Sequence, residues 1–71
     1  MSRKILLQEL TETEWHLARC VADIDRQRST IAELDRMGQD STEALTALKT
    51  LQQIQTLRIH NRERIFGALI K

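Results

Sequence analysis

Met37-Gly38-Gln39-Asp40-Ser41-Thr42-Glu43 separates two long segments that both carry helical patterning. Gly38 can adopt the left-handed conformation that ends a helix, without a Cβ penalty. Asp40 can accept the free N–H groups of a new helix, and Glu43, three residues on, can reach back to it. A stop followed at once by a start predicts a helical hairpin. The expected elements are a first helix over about residues 3–37, a turn at 38–40 and a second helix over about 41–70, making residues 1–71 one domain.

The register of the first helix is clear from Leu10 onward. Leu10, Leu17, Ile24 and Ile31 recur at heptad spacing, with Thr13, Cys20, Gln27 and Leu34 in the companion positions and Val21 beside them. Leu6 lies on the same face, so the helix is expected to run continuously from near Arg3, with Ser2 as its N-cap. The capping-box spacing of Thr11 and Glu14 offers a later start. In the second helix the seam reads Leu45, Leu48, Gln52, Gln55, Ile59, Arg62, Phe66 and Leu69, widened by Leu51, Ile54 and Ile65. The helix–helix interface is therefore assigned to Leu10, Leu17, Val21, Ile24, Ile31, Leu34, Leu45, Leu48, Leu51, Ile59, Phe66 and Leu69.

Folding about Gln39 sets Leu34 against Leu45, Ile31 against Leu48, Leu17 against Arg62 and Leu10 against Leu69. It also brings Glu12 and Glu14 toward Arg64, with Arg62 in reach. On the outer surface, Arg19 with Asp23, Asp23 with Arg26, Asp25 with Arg28 and Glu33 with Arg36 stand three or four apart. Such pairs contribute about 0.2–0.5 kcal/mol each. One feature favours a different fold: the heptad phase runs from Ile31 through Gly38 to Leu45 without interruption, as in one continuous coiled-coil helix. That helix would have to carry Gly38 and Ser41 in its seam, so the hairpin is preferred.

Composition narrows the function classes. The chain has 71 residues, no proline or tyrosine, two glycines and a net charge of +1. That is helix-forming material with no global field to steer a polyanion. Trp15 and Phe66 are too few for a base-stacking surface. Cys20 is the single cysteine, so no internal disulfide forms, and a reducing compartment, the cytoplasm, is expected. Ile5-Leu6-Leu7 is far too short to span a bilayer, and no membrane association is expected. Chains of this size commonly need a disulfide, a metal or a partner. Trp15, Val21, Leu51, Ile54, Leu57 and Ile65 lie partly outside a two-helix seam, which predicts association with a second copy, most simply as a four-helix bundle, or with a partner helix. Gln27, Gln52 and Gln55 either form a polar layer that fixes register or turn to the solvent edge.

Chemistry-bearing residues are sparse. His16 and Cys20 have a metal-ligand spacing, with His60 on the other helix, but a structural zinc site needs four ligands. The simpler reading is a seam cysteine and two surface histidines. No Gly-rich loop or Ser-His-Asp arrangement occurs, and a hairpin offers little concave volume. The expectation is a protein without enzymatic activity, metal or cofactor. Arg58, His60, Arg62, Arg64 and Lys71 form a basic segment suited to phosphate backbones, although Glu63 interrupts it. The expected function is a non-catalytic protein-interaction or scaffold module acting as a homo-oligomer; the alternative is a nucleic-acid-associated accessory protein using that basic segment.

The segment from Ile31 through Gly38-Gln39-Asp40-Ser41-Thr42 to Leu48, with Arg26-Gln27-Arg28 upstream, resembles a group of short, uncharacterised bacterial helical-hairpin proteins with a Gly-x-Asp-Ser/Thr turn. The resemblance implies origin and fold class, and carries no activity. Gln39 stands where those proteins often have a histidine.

Overall fold

The structure, a computed structural model, describes residues 2–71. Two α-helices, α1 (Arg3–Arg36) and α2 (Thr42–Leu69), pack antiparallel along one another as an all-α hairpin 53 Å long and 14 Å wide. No helix is long and apolar enough to cross a membrane among the described residues.

Local chemistry explains where each helix begins and ends. Ser2 caps α1, its hydroxyl accepting from the Ile5 N–H at 3.2 Å. Thr11 does not restart the helix; its hydroxyl donates to the Leu7 carbonyl, one turn back. At the far end Gly38 takes φ +70°, the left-handed stop expected of it. The reversal lets the Gly38 N–H reach the Asp35 carbonyl and the Gln39 N–H reach the Leu34 carbonyl, so the last carbonyls of α1 are satisfied within the turn.

The start of α2 is built one residue later than expected. Asp40 Oδ1 accepts from the Thr42 N–H at 3.0 Å and from the Thr42 hydroxyl at 2.6 Å. These two bonds, the hydroxyl first, hold the Asp40 carboxyl below its ordinary value. Ser41 occupies the formal cap position without a side-chain bond to α2; its hydroxyl instead donates to Asp35 Oδ1 across the turn. The reach-back expected of Glu43 is not among the hydrogen bonds of the described residues. Glu43 sits in the first turn of α2, where a negative charge complements the helix dipole.

In α1 the inward residues follow the expected heptad. Leu6, Thr13, Leu17, Cys20 and Ile24 are buried, and Leu10, Gln27, Ile31 and Leu34 are partly buried. Val21 departs from expectation at 48 % exposure, because it follows Cys20 by one residue and turns about 100° out of the seam.

The phase of α2 requires a larger correction. Ala44, Leu48, Leu51, Gln55, Arg58, Arg62, Ile65 and Leu69 are its inward row, with Ile65 alone fully buried. Leu48, Gln55, Arg62 and Leu69 are where expected. Leu45, Gln52 and Phe66 are exposed, Ile59 sits at the margin, and their seam places go to Ala44, Leu51, Arg58 and Ile65. The heptad phase thus slips by one residue in the turn. Cross-helix pairing slips too: Arg62 meets Glu14 at 3.6 Å, about one helical turn from Leu17, its expected neighbour.

Candidate interaction surface

The hairpin has two long sides, set by which residues flank the seam. One side carries a shallow groove of about 360 Å³ lined by Trp15, His16, Cys20, Asp23, Ile54 and Arg58, among others. Arg58 is a seam residue whose Nε is buried without a hydrogen-bond partner. Trp15 closes one edge, with the His16 ring edge-on at 5.2 Å and the Arg19 guanidinium 5.6 Å from its centroid. Below this groove the Asn61 amide donates to the buried Thr13 hydroxyl at 3.3 Å.

The opposite side is the more continuous one. Each of its residues follows a seam residue by one place. On α1 these are Leu7, Glu14, Val21 and Arg28, after Leu6, Thr13, Cys20 and Gln27. On α2 they are Leu45, Gln52, Ile59 and Phe66, after Ala44, Leu51, Arg58 and Ile65. In antiparallel helices these two rows fall on the same side of the contact, and the Glu14–Arg62 pair bridges the helices there. Leu7, Val21, Leu45 and Phe66 are each between 45 and 50 % exposed. With Ile59 they form a row along the rod in which apolar side chains are interleaved with Glu14, Arg28 and Gln52.

The residues singled out for chemistry are not brought together. Cys20 is buried in the seam, His16 is half-buried beside Trp15, and His60 is exposed on the outer face of α2. Among the described residues, no group of three His, Cys, Asp or Glu side chains stands in a position to hold a metal ion. The basic segment of α2 is divided: Arg62 pairs with Glu14, Arg64 donates to the Asn61 side-chain oxygen Oδ1, and Arg58 points into the seam. Glu14 finds Arg62 and not Arg64. Of the expected surface pairs, Asp23–Arg26 and Glu33–Arg36 form. Arg19 lies over Trp15 instead of reaching Asp23, and Arg28 has no carboxylate partner among the described residues.

The glutamines separate. Gln27 donates its amide to the Ala44 carbonyl at 3.0 Å, tying α1 to the first turn of α2. Gln55 is half-buried in the seam and Gln52 is exposed, so the three do not share one layer.

Sequence reasoning did not single out the seam roles of Ala44 and Arg58. Alanine carries little hydrophobic signal and arginine carries the opposite one, so periodicity alone passes over both. Comparison with known protein families, curated proteins and solved structures finds no match to this chain.

Proposed function

We propose that this chain is a small non-catalytic protein-interaction module that acts as a homo-oligomer, two hairpins closing into a four-helix bundle. The observation that carries this reading is the strip of Leu7, Val21, Leu45, Ile59 and Phe66 beside the seam. A hairpin 14 Å wide buries one narrow stripe per helix, and α2 contributes only Ile65 to the fully buried set. Covering the strip removes large apolar side chains from water at about 25 cal/mol per Å². It also surrounds the Glu14–Arg62 pair with protein, where an ion pair is screened less by salt.

Sedimentation of the purified chain across the micromolar range tests the proposal. A mass of two chains or more is the expected result. A helical protein that sediments as a single chain throughout would refute it.

A further inference from the structure

We infer that the second copy lies with its α1 antiparallel on α1 and its α2 antiparallel on α2, related by a two-fold axis that crosses the rod at Val21 and Gln52. This rests on the homo-oligomer reading above and specifies its geometry.

The inference comes from the order of residues in the two exposed rows. The cross-helix contacts Thr13–Asn61, Glu14–Arg62 and Gln27–Ala44 fix which levels of α1 and α2 stand side by side. To within about one helical turn they put Val21 level with Gln52, Glu14 with Ile59, and Arg28 with Leu45.

On α1 the row reads Glu14, Val21, Arg28, with opposite charges equally spaced about the valine. A two-fold axis at Val21 therefore lays Glu14 of each copy on Arg28 of the other and valine on valine. On α2 the row reads Leu45, Gln52, Ile59. The same axis, which passes Gln52 at that level, lays leucine on isoleucine and amide on amide. The three central positions of each row are self-complementary about one axis, as an isologous contact requires; further out, Leu7 and Phe66 of one copy come to the level of Asp35 and Gly38 of the other. The arrangement also gives Arg28, which has no carboxylate partner within its own hairpin among the described residues, an acidic neighbour.

The competing closed arrangement turns the second copy about an axis parallel to the rod and sets α1 of one copy on α2 of the other. Levels are then preserved, so Leu7 faces Phe66, but Glu14 faces Ile59 and Arg28 faces Leu45. Arg28 would be laid against an aliphatic side chain, a desolvation penalty without a partner, and the Glu14–Arg62 pair against another.

Two measurements decide between them. In sedimentation equilibrium, R28E should raise the dimer dissociation constant about tenfold by opposing like charges at two symmetry-related contacts, and R28E with E14R should bring it back to within about threefold of the wild type. Circular dichroism checks that the helices persist, because E14R also removes the Arg62 partner. Separately, a spin label on Q8C, in a C20A background, should report about 40 Å between copies in the antiparallel arrangement and about 15–20 Å in the competing one. A wild-type dimer that ignores R28E, a double variant that fails to recover, or the short label distance would overturn this geometry and leave the homo-oligomer reading intact. A wild-type monomer would overturn both.

Discussion

The two glycines should respond to the same substitution with opposite signs. Gly38 holds φ +70°, and an added Cβ there meets nothing within 4 Å. Gly38→Ala therefore isolates backbone strain from steric clash. An L-residue in the left-handed region costs about 1–2 kcal/mol. Stiffening the unfolded chain offsets that by about 0.4–1 kcal/mol. The net expectation is a loss of about 1 kcal/mol. Gly67 is the mirror case: it lies within α2, and an added Cβ again meets nothing within 4 Å. Gly67→Ala gains helix propensity, up to about 1 kcal/mol in a helix interior and about half that near the end of α2. The two variants should thus differ by about 1.5 kcal/mol. Urea unfolding followed by helical circular dichroism measures this, at one protein concentration so that any association contributes equally. Asparagine at position 38, which tolerates the left-handed region better than alanine, should fall between Gly38→Ala and the wild type. If Gly38→Ala is as stable as the wild type, the left-handed stop does not hold the hairpin bend. If Gly67→Ala weakens the fold, the open space around that position is illusory.

Ile65→Ala, at the one fully buried side chain among the described residues, should lose about 2–4 kcal/mol in the same urea assay, whereas Leu57→Ala, at 69 % exposure, should stay within about 0.5 kcal/mol of the wild type; equal losses would refute the phase of α2. Arg58→Met should raise stability by about 1 kcal/mol, since it removes a buried Nε without a partner and keeps most of the side-chain volume; a clear loss would mean that Arg58 has a partner in solution. Asp40 supplies a pH dependence. Its folded carboxyl sits below the ordinary 3.8 because the Thr42 hydroxyl and N–H bond the ionised form, so its contribution is complete above that value and disappears as pH falls through the lower folded one. Asp40→Asn should remove this part of the acid sensitivity, and an unchanged acid-unfolding profile would contradict it.

The bend and α1 were legible because their signals are local. A glycine stop, an Asx cap and an unbroken apolar heptad from Leu10 to Ile31 each need only a few neighbouring residues. Pairing level and the phase of α2 were not legible, for two physical reasons. The turn spends residues on the left-handed stop and the Asp40 cap, and its geometry shifts the heptad by one residue, which no periodicity count detects. In addition, the large aliphatic residues of α2 are divided between two rows. Leu48, Leu51, Ile65 and Leu69 face α1, while Leu45, Ile59 and Phe66 stand one place further round.

That division bears on function. A helix that serves one contact concentrates its hydrophobicity on that contact, and its apolar maximum then marks the seam. In α2 the seam includes Ala44, Gln55, Arg58 and Arg62, while the neighbouring row holds three large apolar side chains. The small and polar members of the inner row let the helices approach without deep burial at those positions, and Arg58 and Arg62 extend their stems along the seam toward solvent. Three of the seven large apolar side chains in these two rows are left on the side. Selection for the hairpin alone would favour the reverse, because exposed leucine, isoleucine and phenylalanine gain nothing for a chain that stays single. On the proposed reading both rows are interior: one closes the hairpin, and the other closes the bundle.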